Sequence, residues 1–181
     1  MSAAGVAALQ EPATLNVLPA DRFADAVGPL FERAPRFLAR LASARPFASW
    51  DELFDRALEI ALAMPEPDQV ELIDSHPRLG ADPAVVRARS ELSYREQGFD
   101  RPGTAAESTA GELARLNDAH EQRFGFRFVV FVAGRSQAEL LPVLRAALEA
   151  DRDAEIRRAM AHLVAIARDR RARLSAEVST A

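Results

Sequence analysis

The sequence of 181 residues contains no cysteine, which excludes disulfide bonds, thiolate metal ligands and cysteine nucleophiles. Its formal net charge is -4, so no excess of positive charge favours binding to nucleic acid or to an anionic membrane. No apolar run approaches the roughly 20 residues that a membrane-spanning helix needs. The first residues lack the basic region of a secretory signal, and the last residues lack a peroxisomal tripeptide. We therefore expect a cytoplasmic protein with no nucleic-acid or membrane partner.

Several motifs of well-known enzyme classes are also missing. The three histidines lie far apart in the sequence, and His120-Glu121 is not followed by the second histidine of a zinc-protease helix. There is no phosphate-binding glycine loop and no Gly-x-Ser-x-Gly nucleophile elbow. We expect no metal site.

Helix signals cover most of the chain. Ser49–Glu52 and Ser136–Glu139 have the pattern of capping boxes, and prolines stand at several predicted helix starts. The segment 124–132 is rich in aromatic and β-branched residues and is the one strand candidate, but a single strand has no partner to pair with. We expect a single all-α domain of about eight helices over residues 15–175, with an extended aromatic segment near Phe126–Val132. Residues 1–14 are predicted to form a flexible tail, and residues 176–181 a second tail.

A histidine at a predicted helix end is the first candidate for chemistry. Proline disfavours the α region in the residue before it, so His76, which precedes Pro77, should leave the helix and lie at a turn. Imidazole titrates near neutral pH and is suited to proton transfer. The alternative interpretation is that Ser-His-Pro merely ends a helix.

A second candidate is a set of polar residues at helical spacing. Ser93, Glu96 and Gln97 stand at positions i, i+3 and i+4, which share one helix face and could hold a small polar molecule. The same pattern is typical of a helix cap or a solvated face. Because Pro83 opens the helix well upstream and no breaker intervenes, we expect Ser93 in the middle of one helix that reaches Gln97.

The last predicted helix has an arginine on its apolar face. Arg170 follows Ile156, Met160, Leu163 and Ile166 on the predicted apolar stripe. A buried guanidinium needs a partner, and its planar fork suits a carboxylate or a ureido oxygen. A structural ion pair, or a stem that reaches out to solvent, would explain it equally well.

Together these motifs resemble one enzyme family. The sequence has His-Pro-Arg-Leu-Gly, then Ser-x-x-Glu-Gln, then Leu116-Asn117 with Phe124-Gly125-Phe126-x-Phe128-Val129-Val130, and last Ile-Ala-x-x-Arg. This order and spacing, from about Leu15 to Leu174, is similar to that of the decarboxylases of 2-oxo-4-hydroxy-4-carboxy-5-ureidoimidazoline (OHCU), which form (S)-allantoin in urate breakdown. The resemblance implies an all-helical homodimer that acts on a small molecule and needs no metal or organic cofactor.

The resemblance also implies roles for individual residues. His76 matches the catalytic histidine, and Glu96 is expected to set its protonation or to bind the substrate hydroxyl. The residues that match the substrate-binding positions are Pro77, Ser93, Gln97, Phe128, Val129, Val130, Phe131, Val132 and Arg170.

The chain departs from the family pattern near these positions. His120 stands where a tyrosine is common, and Asp169 and Arg171 replace apolar neighbours of Arg170. The run after Glu-Gln is shortened at residues 98–100. Two other functions are compatible with the sequence: a same-fold enzyme for another ureido or imidazoline compound, and a non-enzymatic helical interaction module.

Overall fold

The structure is a computed structural model that describes residues 9–100 and 107–179. Within these residues the regular elements are helices, and no strand is present. The α-helices, in chain order, are α1 Pro12–Asn16, α2 Ala20–Val27, α3 Pro35–Ser43, α4 Trp50–Ala63, α5 Glu66–Ser75, α6 Pro83–Arg89, α7 Glu91–Glu96, α8 Glu107–Phe124, α9 Gln137–Leu148 and α10 Arg152–Ser179. A short 3₁₀ turn, Gly28–Phe31, joins α2 to α3. The prediction of an all-α domain is confirmed.

Two hydrophobic clusters hold these helices together. The larger one, the main core, is formed mostly by α2, α3, α4, α5 and α10. The smaller one, the small core, is formed mostly by α8 and α9, which pack against each other. The long helix α10 contacts α4, α5 and the 3₁₀ turn. The last helix of the chain is therefore packed against elements from the first 75 residues.

The extended aromatic segment lies between the two cores. Phe128, Val130 and Val132 belong to the small core, whereas Val129 belongs to the main core and Phe131 packs against it. Over residues 128–132 this alternation follows from the extended backbone, in which successive side chains point in opposite directions. Phe126, before this stretch, belongs to the main core. The side chains of the segment therefore pack into both cores, and the segment is held in place without a strand partner, as the sequence predicts.

One predicted helix is interrupted. Ser90 has an extended conformation, with φ -155° and ψ 111°, and separates α6 from α7. Its Oγ accepts a hydrogen bond from the Ser93 backbone N–H, which is the geometry of a helix N-cap. The prediction of one continuous helix from Pro83 to Gln97 is wrong, because serine can replace the lost backbone partner with its own side chain.

Other helix boundaries follow their local signals with small differences. The capping box at Ser136 is complete, whereas at Ser49 the Glu52 carboxylate bonds the N–H of Ala48, one residue earlier than predicted. Part of the predicted N-terminal tail is helical, since α1 begins at Pro12, and α10 continues to Ser179, past the predicted domain end. Residues 101–106, between α7 and α8, lie outside the described residues.

Candidate active site

A cleft opens where the two cores meet, and both contribute to its walls. Leu79 of the small core and Ile166 of the main core line it. Its empty space, including the part open to solvent, is about 490 Å³. Of the residues predicted to form the site, those that line this cleft are His76, Pro77, Ser93, Glu96, Gln97, Phe128, Val129, Val130, Phe131 and Val132.

His76 lies at the end of α5, in the position that its proline neighbour predicts. It is the C-terminal cap of the helix and has an extended backbone, with φ -75° and ψ 141°. Its side chain is 4% exposed, and neither ring nitrogen makes an aligned hydrogen bond within the described residues. The backbone of Leu72, one turn earlier in α5, is a nearby hydrogen-bonding group and acts weakly on the pKa of the ring. A buried imidazole without an aligned hydrogen bond is uncommon, because buried polar groups are normally paired. The helix-stop interpretation does not account for it.

Burial controls the protonation of this imidazole. Burial, and then the positive charge of Arg170, lower the pKa of His76 to about 3, although the Glu32 carboxylate acts in the opposite direction. His76 is therefore neutral at pH 7, with one nitrogen able to donate a hydrogen bond and the other able to accept one.

The corner at His76 is tied to the extended aromatic segment by a residue that the sequence did not single out. Arg127 donates from Nη1 to the carbonyl oxygens of Asp74, at 2.8 Å, and His76, at 2.9 Å. In return its backbone N–H donates to the Asp74 carboxylate at 2.9 Å. These bonds fix the two walls of the cleft relative to each other.

Gln97 holds the loop that follows His76. Its Oε1 accepts a hydrogen bond from the Gly80 N–H at 2.8 Å, and its Nε2 donates to the Arg78 carbonyl at 3.3 Å. Gly80 has φ +71°, and a Cβ at this position would lie 2.6 Å from Leu113 Cδ2, so the turn requires glycine. The amide of Gln97 is thus used largely by the protein's own backbone.

Arg170 is buried, as its place on the apolar stripe predicts, but it does not line the cleft. Its side chain is 1% exposed and forms a fork with Glu96, with Nε to Oε1 at 2.6 Å and Nη2 to Oε2 at 2.8 Å. It also donates to Glu32 Oε1 at 2.7 Å and to Ser93 Oγ at 2.9 Å. The carbonyl of Pro29 takes a further bond at 2.9 Å. Arg170 therefore lies behind the polar face and holds it in place.

Glu32 is the buried partner that the sequence did not reveal. It lies in a left-handed turn, with φ 49°, directly after the 3₁₀ turn. Its Oε1 accepts hydrogen bonds from Ser93 Oγ at 2.6 Å and from Ser90 Oγ at 2.9 Å. No local pattern marks this residue. The available signal was indirect, namely that a buried arginine requires carboxylates somewhere in the fold.

The two carboxylates that share Arg170 differ in their titration. Burial raises the pKa of Glu96 above its usual value, even though Arg170 counteracts it. Burial also acts on Glu32, but Arg170, His76 and the bond from Ser93 together hold the pKa of Glu32 below its usual value. No hydrogen bond joins His76 to Glu96 in the described structure, and the acidic charge that acts on His76 is that of Glu32.

Two side chains hold the backbone of the aromatic segment. The Phe131 N–H donates to His162 Nδ1 at 3.2 Å, and the Phe131 carbonyl accepts from Arg135 Nη2 at 2.5 Å. Burial lowers the pKa of His162 to about 4, so its Nδ1 is free to accept at neutral pH. Within the described residues, the backbone N–H groups of Val129 and Val130 have no protein partner. Both residues line the cleft.

A second buried histidine supports the same segment from the side of α8. His120 Nε2 lies 2.8 Å from Glu155 Oε1, and Nδ1 lies 3.2 Å from the Phe126 carbonyl oxygen. The ring also packs against the aromatic rings of Phe124 and Phe128. His120 therefore has a structural role where the family commonly has a tyrosine.

The described residues contain no group of three or more histidine, cysteine, aspartate or glutamate side chains that could hold a metal ion. No described helix is long and apolar enough to cross a bilayer. Two charged residues outside the predicted site, Asp169 and Arg173, also line the cleft, and both are partly exposed.

The sequence is similar to a known protein family and to several of its members. The family model described as OHCU decarboxylase matches residues 16–172. Over 156 residues the chain is 32% identical to the 2-oxo-4-hydroxy-4-carboxy-5-ureidoimidazoline decarboxylase of Haloferax volcanii, covering 84% of this chain and 89% of that protein. Over 163 residues it is 32% identical to the uric acid degradation bifunctional protein PucL of Bacillus subtilis, covering 90% of this chain and 32% of PucL. The chain thus spans about a third of the length of that bifunctional relative.

Two crystal structures share the fold. One, of an OHCU decarboxylase in the presence of (S)-allantoin, has a TM-score of 0.61 and 24% identity, and the match covers 79% of this chain and 92% of that one. The other, of an (S)-allantoin synthase, has a TM-score of 0.67 and 16% identity, and the match covers 91% of this chain and 54% of that one. With the family model matched over most of its length, the chain belongs to the OHCU decarboxylase family.

Proposed function

We propose that this protein is a cofactor-independent carboxy-lyase that converts OHCU to (S)-allantoin and carbon dioxide. The observation that supports it most directly is the environment of His76. A buried, neutral imidazole, without an aligned hydrogen bond among the described residues, lines a cleft that also contains Glu96, Val129 and Val130. Such a group is free to bind a ligand and to move a proton.

The substrate itself accepts the electrons of the broken bond. One ring carbon carries the carboxylate and a hydroxyl, and the neighbouring carbon, which carries the ureido group, is part of a C=N bond. When the bond to the carboxylate breaks, its electron pair forms a C=C bond between these two carbons, and the imine nitrogen takes a proton. The hydroxyl then loses its proton to become a carbonyl, and the ureido-bearing carbon gains one. Because the ring is its own electron sink, the protein supplies orientation and proton transfer.

His76 is proposed to move these protons. As a neutral group it can take the hydroxyl proton on one nitrogen and return a proton to the ureido-bearing carbon. Delivery from one face of a fixed ring would produce one enantiomer. General acid–base help of this kind is typically worth about 10²–10⁴ in rate.

Glu96 is proposed to accept a hydrogen bond from the substrate hydroxyl. Its carboxylate is oriented by the fork from Arg170, which leaves it in one position at the wall of the cleft. Arg170 then acts through Glu96 and Ser93 instead of touching the substrate, which modifies the role that the family resemblance implied for it. Pro77, Ser93, Gln97 and the backbone of Phe128–Val132 would complete the surface around the ring and the ureido group.

The alternative functions differ in what they require of this cleft. An interaction module has no need for an unpaired buried histidine in a concave site, so the environment of His76 favours an enzyme. A same-fold enzyme for another ureido or imidazoline compound would use the same polar groups. Substrate profiling separates it from the decarboxylase.

The direct test is to follow freshly generated OHCU by circular dichroism with the purified protein at pH values from 5 to 8. We expect (S)-allantoin to form much faster than in buffer. We also expect the pH profile of kcat/KM to show no titration step near pH 6.5, the usual pKa of histidine. The pKa of His76 is about 3, so its imidazole stays neutral across this range. Formation of (S)-allantoin at the buffer rate would refute the proposal.

Two further parts of the proposal derive from the family alone, namely that the enzyme acts in the cytoplasm and that it forms a homodimer. Light scattering of the purified protein tests the second. A mass of about twice that of the chain, which is 19.8 kDa, is expected.

A further inference from the structure

The charges around the cleft pose a problem for an anionic substrate. Glu96 and Asp169 both line it, and His76 is neutral at pH 7 because its pKa is about 3. Arg170 lies behind the wall and is occupied by Glu32 and Glu96. Among the described residues that line the cleft, Arg173 alone carries a full positive charge.

Arg173 lies on the face of α10 that meets the cleft. It follows Arg170 by three residues, so the two side chains leave the helix in similar directions about one turn apart. Its side chain is 43% exposed, and it also borders a neighbouring cavity that Glu96 shares. Arg173 can therefore reach a group that enters from solvent. Arg170 borders the same neighbouring cavity, but it is 1% exposed and already paired with Glu32 and Glu96.

Arg173 forms a partly exposed ion pair with Asp169. Arg173 Nε lies 2.7 Å from Asp169 Oδ2, but this buried oxygen makes no aligned hydrogen bond within the described residues. Both side chains lie at the mouth of the cleft, where a partly exposed ion pair contributes little to stability. Because the Arg173 side chain is 43% exposed, a carboxylate that enters the cleft can compete with Asp169 for its guanidinium.

We propose that Arg173 is a specificity-determining residue that binds the carboxylate of the substrate at the mouth of the cleft, with Asp169 as its partner in the empty site. This inference rests on the proposed function. Decarboxylation removes the charge that Arg173 binds, so the neutral product is held less tightly than the substrate. The pair thus selects an anionic ureido compound on entry and favours release of the product.

The test compares Arg173→Gln with Arg157→Gln, an exposed arginine on the same helix that does not line the cleft and whose loss changes the net charge equally. Arg173→Gln is expected to raise KM about tenfold, since it removes a charged hydrogen bond in a partly solvated position, and to change kcat less than twofold. Inhibition by neutral (S)-allantoin should stay unchanged, and Arg173→Lys should restore most of the affinity. Arg157→Gln should match the wild type.

Two results would overturn the inference. One is an equal KM in Arg173→Gln and Arg157→Gln. The other is a loss of affinity for neutral allantoin as large as the rise in KM, which would indicate a general disturbance of the cleft. Calorimetric titration with allantoate, a stable anion that carries ureido groups, separates this inference from the proposed function. Weaker binding of allantoate by Arg173→Gln supports the anion site even without turnover, and equal binding contradicts it.

Discussion

At the scale of single residues, Arg170 carries the largest share of the site's organisation. One guanidinium binds two carboxylates, the Ser93 hydroxyl and a carbonyl of the 3₁₀ turn, and it is almost fully buried. Although burial works against its charge, the carboxylates of Glu96 and Glu32 raise the pKa of Arg170 above its usual value. Arg170 is therefore always charged, and this charge balances the two buried carboxylates.

Removal of this charge should destabilise the protein. We expect Arg170→Met to lower the free energy of unfolding by about 3–5 kcal/mol, because it leaves the carboxylates of Glu32 and Glu96 buried without a counterion. Urea unfolding at pH 7 measures the change. The matched control is Arg56→Met, which breaks the exposed pair with Glu59 and should cost less than about 1 kcal/mol. Equal costs for the two variants would show that the buried pairs do not stabilise the fold.

The sequence was informative about which residues matter and less so about their partners. The position of Arg170 on an apolar stripe predicts its burial, and a structural ion pair was one of the interpretations that the sequence left open. Glu32 could not be found in this way, because it lies 138 residues away and in an irregular turn without periodicity. Pairing between distant elements depends on tertiary packing, which local patterns do not encode.

At the scale of elements, the extended segment Phe126–Val132 forms the wall between the cores and the cleft. Its side chains are fixed by packing, and the backbone of Phe131 is held on both sides. The Phe131 N–H donates to His162, and the Phe131 carbonyl accepts from Arg135. The N–H groups of Val129 and Val130 have no protein partner among the residues that the structure describes. The orientation of this peptide decides where those groups point.

Loss of the His162 acceptor should therefore impair substrate binding. We expect His162→Leu to raise KM about fivefold, which corresponds to roughly 1 kcal/mol for one hydrogen bond, with little change in kcat. His162→Asn places a side-chain oxygen near the position of Nδ1 and should restore much of the affinity. Steady-state kinetics and far-UV circular dichroism of both variants provide the measurement. Equal impairment of the two variants, or none in either, would contradict a positioning role.

Element boundaries illustrate where sequence patterns mislead. The aromatic and β-branched composition of the segment correctly predicted an extended chain, and its lack of a partner correctly argued against a sheet. Between Pro83 and Gln97 the absence of a glycine or proline suggested one helix, yet Ser90 ends one helix and caps the next. A serine is compatible with either state, and the contact of its hydroxyl with Glu32 at 2.9 Å favours the break. That contact exists only in the folded chain.

At the scale of the whole molecule, the cleft lies at the boundary between two separate hydrophobic cores. The main core holds α10, and the small core holds α8 and α9. The corner at His76 and the aromatic segment lie along their boundary and are joined by Arg127. Motifs in a familiar order led to ten of the residues that line this cleft, but not to Asp169 or Arg173, and Arg170 was predicted to bind the substrate although it does not line the cleft. The sequence did not predict the boundary itself, since both cores appear in it as similar apolar periodicity.

The proposed activity depends on proton transfer by His76, and one measurement tests this role most directly. This is the rate of (S)-allantoin formation from freshly generated OHCU by His76→Gln compared with the wild type, at equal helix content by far-UV circular dichroism. Glutamine is close in size but cannot move a proton at neutral pH. We predict a loss of about 10²–10⁴ in rate. Turnover within twofold of the wild type would contradict the claim that this buried imidazole performs the proton transfer.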